Sequence, residues 1–185
     1  MAAKSSLKNM VLCLTGVCLV CAAILGGVNA LTTNPIKEAA KKALVESIAK
    51  VLPEGGNLSD AQSAEGIDEY YVSSADTTVL AYAVKSTTIG FGGPLTVMVG
   101  VLPDGTVYNT SVLAHSETPG LGAKCTSDEG FMNQWKNFGP EKVLKVKKDG
   151  GDVDAITAST ITSRAYTVAV EQAVNFVKSL NKQEE

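Results

Sequence analysis

Leu95-Thr96-Val97-Met98-Val99-Gly100-Val101-Leu102-Pro103-Asp104-Gly105-Thr106-Val107-Tyr108-Asn109-Thr110-Ser111-Val112-Leu113-Ala114-His115 holds two runs rich in β-branched residues around a Pro-Asp-Gly turn, and it reads as a β-hairpin. Working outward, residues 70–73 and 79–85 have the same β-branched and aromatic character and read as two more strands. Downstream the pattern predicts a helix over 127–137 that includes Trp135. A strand follows over 143–147, then a turn at Asp149-Gly150-Gly151. Ala165, Ala169, Ala173, Phe176, Val177 and Leu180 share one face of a final helix over about 163–180. Upstream, Asn34 and Pro35 read as N-cap and first position of a helix that ends near Leu52, before Pro53-Glu54-Gly55-Gly56. The polar, glycine-containing stretch to Gly66 reads as an exposed connection. This order predicts an α+β domain with a mostly antiparallel sheet and flanking helices.

The chain has 185 residues and is 45% hydrophobic, enough for one packed core besides an anchor. Residues 10–30 carry no charge, with Thr15 and Asn29 the distinctly polar side chains, and as a helix they span the roughly 30 Å hydrocarbon layer. Two readings stand. One is a retained transmembrane anchor; the other is a cleaved signal, with Lys4 and Lys8 as its basic region and Val28-Asn29-Ala30 as a small-residue cleavage site. The run is longer than the usual cleaved signal core, which favours the anchor. Lys37, Lys41 and Lys42 oppose Lys4 and Lys8 across the span, so charge alone does not orient it; the signal-like pattern points to export of the following domain. The expected organisation is a tail over 1–9, an anchor over 10–30, a helix and connection over 31–66, and a ligand-binding domain over 67–185.

A net charge of −3 gives no electrostatic footprint for nucleic acid. Cys13, Cys18 and Cys21 lie in the apolar segment and Cys125 alone in the remainder, so that remainder has no internal disulfide. No Walker loop, zinc-spaced Cys/His set or strand-linked GxGxxG is present, which leaves nucleotide hydrolysis, structural zinc and a Rossmann site without support.

Three segments carry candidate chemistry. Asp154-Ala155-Ile156-Thr157-Ala158-Ser159-Thr160-Ile161-Thr162-Ser163 sets many hydroxyls just before a helix, where backbone N–H groups favour an anion such as phosphate. The alternative is ordinary capping by Thr162 or Ser163. His115-Ser116-Glu117-Thr118-Pro119-Gly120-Leu121-Gly122-Ala123-Lys124 has a proline-fixed turn and two glycines. These allow close approach to a planar ring, with Glu117, Thr118 and Lys124 as polar groups to orient it. In Gly90-Phe91-Gly92-Gly93-Pro94, Phe91 is expected to pack rather than face a ligand. His115, the one histidine, is assigned no catalytic role.

These segments resemble the FMN-binding domain family. The 154–163 stretch is similar to its flavinylation motif, Asp-Gly-x-Ser-Gly-Ala-Thr-x-Thr-Ser. Thr157 stands for the motif serine, Ala158 for the glycine, Ser159 for the alanine and Thr160 for the modified threonine. Ala158 in the glycine position leaves less backbone freedom. The resemblance implies FMN bound covalently, through its phosphate, to Thr160. It implies further contacts from Thr157, Ala158, Ser159, Glu117, Thr118, Gly120, Leu121, Gly122 and Lys124, with no metal and no catalytic residue. A separate flavin transferase would install the cofactor.

Within the family, the anchor and the order of motifs are most similar to the G-subunit group of the Rnf complexes, the ion-translocating ferredoxin:NAD oxidoreductases. The C-subunit group of the sodium-translocating NADH:quinone oxidoreductases shares the motifs but is usually longer. The resemblance implies an electron relay in a bacterial inner membrane, working with other membrane and peripheral subunits. Its soluble domain would lie on the extracytoplasmic side. The rival readings are a free-standing exported FMN reductase and a flavin-free interaction module.

Overall fold

A computed structural model describes residues 7–64, 66–75 and 78–182. The chain divides into a unit ending at Ala43 and a second beginning at Leu44. Helix α1, Leu7–Val51, runs from the first into the second. In the first unit the helix is long and apolar enough to cross a membrane, and none of its apolar stretch is buried by protein. Leu12, Leu14, Val17, Leu19, Ile24 and Leu25 are all exposed. Such a surface calls for lipid or a partner. Lys4 of the basic tail lies outside the described residues, whereas Lys8 is already helical.

The helix expected to start afresh at Asn34-Pro35 does not; Pro35 lies inside α1. Proline inside a helix removes one backbone donor and crowds the carbonyl four residues earlier, and a long helix propagating on both sides absorbs that cost. Thr32 and Thr33 sit within the helix with their hydroxyls bonded back to Val28 O (2.9 Å) and Asn29 O.

Among the described residues, the second unit is built on six strands: β1 (Asn57–Leu58), β2 (Gln62–Ala64), β3 (Ile67–Ala75), β4 (Thr78–Ile89), β5 (Pro94–Val101) and β6 (Val107–His115). All pairings are antiparallel in the order β1-β3-β4-β5-β6, with β2 also on β3. The β5–β6 hairpin expected from Pro103-Asp104-Gly105 forms, closed by Gly105 N–H to Leu102 O (2.9 Å) and Leu102 N–H to Thr106 O (2.8 Å). The connection before Gly66 is exposed as expected but contributes β1 and β2 as short edge strands.

Both faces of the central strands are covered, which is why β4 and β5 are buried almost continuously. Tyr82, Val84, Leu95, Val97, Val99 and Val101 join a core completed by α3 (Thr160–Asn181) and the rings of Phe131, Trp135, Phe138 and Tyr166. On the opposite face Tyr71, Ala83 and Met98 pack with Ile48 and Val51, from the last turns of α1. Gly100 permits this second contact, since a Cβ there would strike the Val51 carbonyl.

The segment between β6 and α3 differs from expectation. In place of a helix over 127–137 there is a 3-10 turn, Gly122–Thr126, and a short α2, Glu129–Asn133, capped by the Asp128 side chain on Phe131 N–H (2.9 Å). Trp135 lies in the turn after α2 and is fully buried, stacked on Tyr166. Burial of that ring, not helical continuity, fixes the backbone here. Residues 143–147 do not form a strand; one parallel bridge, Val146 to Val153, is all that pairs. Asp152 accepts from Val143 N–H (2.7 Å), and Gly151 lies against the Lys145 backbone, so the segment closes on itself as a tight loop.

Candidate functional site

The hydroxyl-rich segment makes a turn and then the first turn of α3, three residues earlier than the periodicity implies. Ser159 N–H donates to Ile156 O (3.0 Å), closing a turn whose third residue, Ala158, has φ 63°. That left-handed conformation is one glycine adopts freely and an L-residue at a cost of about 1–2 kcal/mol. Buried Ser163 locks the turn, accepting from Ile156 N–H (2.9 Å) and donating to Ser159 O (3.0 Å). The N-cap is therefore Ser159, not Thr162 or Ser163, and its side chain makes no capping bond. Ser163 N–H is the first to reach a helical acceptor, Ser159 O, leaving the N–H groups of Thr160, Ile161 and Thr162 as the unsatisfied first turn.

Glu117 joins this helix end to the two glycine segments. It is 5% exposed, the single charged side chain buried among the described residues. Its Oε1 accepts from Phe91 N–H (2.8 Å) and its Oε2 from Thr162 Oγ1 (2.8 Å). A Cβ on Gly90 or on Gly122 would collide with this carboxylate, and one on Gly92 with the Ser116 carbonyl. These glycines make room for Glu117 and its neighbour. Gly120, with φ 77° and open space around it, is there for its backbone conformation. His115 Nδ1 accepts from Glu117 N–H (3.2 Å), a structural role.

The three segments enclose a cleft of about 350 Å³. Of the residues singled out from sequence, Glu117, Thr118, Leu121, Gly122, Ala158, Ser159 and Thr160 line it, while Thr157, Gly120 and Lys124 do not. Phe91, expected to pack rather than face a ligand, is 68% exposed and lines the cleft with Ile161 and Thr162. A large aromatic set among glycines was the available signal in the sequence. Lys148 was not singled out at all. Its Nζ reaches Thr160 Oγ1 (3.4 Å) from a 3-10 turn, Lys147–Asp149, across a gap that spacing alone does not reveal.

Beside the cleft, the Arg164 guanidinium takes both oxygens of Asp149 (2.6 and 2.7 Å) and holds that carboxyl below its ordinary pKa. Burial, then the Glu117 charge, pushes the Cys125 thiol up to about 11, an unreactive thiol at neutral pH. The arrangement fits a flavin mononucleotide: apolar walls from Phe91, Leu121 and Ile161 for a ring, donors at the α3 N-terminus for a phosphate, and a buried Ser159 hydroxyl without a partner.

The family model described as FMN-binding domain matches residues 90–175. The G subunit of the ion-translocating oxidoreductase complex from Shewanella amazonensis is 35% identical, with 95% of this chain and 90% of that protein covered. The G subunit of the proton-translocating ferredoxin:NAD(+) oxidoreductase complex from Clostridium ljungdahlii is 37% identical over 60% of this chain; the match spans 61% of that relative's length. Among solved structures, the C subunit of the Na(+)-translocating NADH-quinone reductase from Parabacteroides distasonis has 24% identity and a TM-score of 0.47, covering 72% of this chain and 80% of the other.

Proposed function

Because the chain belongs to the G-subunit family of ion-translocating oxidoreductase complexes and carries an FMN-binding domain, we propose that it is the flavoprotein relay of a ferredoxin:NAD oxidoreductase of the Rnf type, with FMN phosphoester-linked to Thr160. The observation that carries this reading is the convergence of three separate segments on one cleft, with Thr160 at the first position of α3. FMN supplies the one- and two-electron chemistry. The protein's part is placement: Thr160 anchors the phosphate end, Phe91, Leu121 and Ile161 offer apolar surface to the ring, and Glu117 ties the walls together.

The helix over residues 10–30 would hold the protein in the inner membrane, with the unit from Leu44 outside the cytoplasm. A flavin transferase would load it, and the other membrane and peripheral subunits would deliver and remove electrons. That helix has no ionisable side chain in residues 10–30 apart from its cysteines, and ion pathways are built from polar intramembrane groups, so ion movement falls to partners.

The test is the full chain co-expressed with a flavin transferase, denatured and examined for in-gel flavin fluorescence. Wild type should fluoresce and Thr160→Ala should not, with circular dichroism unchanged. Covalent flavin persisting in Thr160→Ala while Thr157→Ala or Thr162→Ala removed it would overturn the assignment.

A further inference from the structure

We infer that the flavin phosphate is gripped by a cation from outside the hydroxyl-rich segment, Lys148, together with the Ser159 hydroxyl; the inference rests on Thr160 being the flavin-bearing residue. Lys148 is exposed, yet its backbone is fixed. Asp149 N–H donates to Val146 O (2.8 Å) and Gly150 N–H to Lys147 O (3.1 Å), and the Asp149 carboxylate is clamped by Arg164 on α3. The 3-10 turn is thereby fastened to the helix whose first residue is Thr160.

Two neighbouring cations are already engaged. Lys147 pairs with Asp154 (2.8 Å) and Arg164 with Asp149, whereas Lys148 has no carboxylate within ion-pair distance among the described residues. Its ammonium points instead to the Thr160 hydroxyl. Ser159 is the second, independent observation: 7% exposed, lining the cleft, its Oγ without a hydrogen-bond partner. A buried hydroxyl left so costs about 1–3 kcal/mol unless a ligand completes it. The Lys148 ammonium at the Thr160 hydroxyl, the unpartnered Ser159 hydroxyl one residue before it and the free N–H groups of the first turn are all donors, the kind of set a phosphate requires. The need for a cation follows from Glu117, whose buried carboxylate shares the cleft and repels any anion brought to Thr160. Lys148 makes and breaks no bond; it offsets charge and orients the phosphate.

The experiment uses the full chain co-expressed with a flavin transferase and compares wild type with Lys148→Ala, Lys148→Arg and Ser159→Ala. Flavin loading is measured after denaturation, the modified peptide is mapped, and the phosphorus NMR resonance is recorded on folded protein. Lys148→Ala should load about two- to fivefold less flavin, the scale of one exposed charge contact. Its phosphorus resonance should move, and Lys148→Arg should restore both. Ser159→Ala should move the resonance as well. Wild-type loading and an unmoved resonance in Lys148→Ala, with flavin still on Thr160, would overturn the role of Lys148 alone. An arginine variant as poorly loaded as the alanine variant would do the same. Flavin mapped to another residue in wild type would remove the Thr160 assignment and this inference together.

Discussion

Ala158 sits where the flavinylation motif has glycine, and its φ of 63° shows what that glycine is for: the third position of the turn closed between Ile156 and Ser159. Ala158→Gly should relieve the left-handed strain and stabilise the fold by up to about 1 kcal/mol, the strain gain being partly offset by the greater freedom of glycine in the unfolded chain. A urea titration with unchanged slope and a higher midpoint would show it; a lower midpoint would mean the alanine methyl packs usefully. Cys125 gives a pH prediction. Its thiol is raised from 9.0 to about 11, by burial first and Glu117 second, so the folded state resists an ionisation that the unfolded chain accepts. The resulting stability is intact below pH 9.0 and is lost as pH rises towards about 11. Wild type should therefore lose stability more steeply than Cys125→Ala across that window in chemical denaturation. Parallel pH profiles would count against it. At this scale the hydroxyl motif and the buried glutamate segment were legible as chemistry, because their residue types are unusual in combination. Lys148 was not, since one lysine among several acquires meaning only from the loop that carries it.

The elements around the cleft are held by one carboxylate. Glu117 binds Phe91 N–H at the end of the glycine loop and Thr162 in the first turn of α3, and Gly122 leaves it room. Gly122→Ala should place a methyl against Glu117 Oε2 and Thr162 Oγ1, costing about 1–3 kcal/mol as an overpacked site does, and should reduce flavin loading more than Gly120→Ala. Thermal unfolding of the two variants, with denatured-state flavin absorbance, separates them; equal loading would show the clasp to be dispensable. Composition found the strands, because β-branched and aromatic residues mark them even where both faces are covered and burial is nearly continuous. Local pattern failed over 127–137 and 143–147, where Trp135 and the Asp152–Val143 contact dictate turns against local propensity.

For the whole molecule, the decisive prediction is topology. Protease added to intact spheroplasts should digest the unit beginning at Leu44, and alkaline washing should leave the chain in the membrane. Protection until the membrane is permeabilised would place that unit in the cytoplasm. The sequence by itself determined the apolar helix, the antiparallel class, the hairpin and the family, because each rests on composition, period or a contiguous motif. Tertiary structure alone decided that the end of α1 packs on the sheet at Gly100, and that glycines near Glu117 leave room for a carboxylate. It also decided that Phe91 and Lys148 stand at the cleft. These are contacts between residues far apart in the chain, set by which groups must be buried or paired, and no local pattern encodes them.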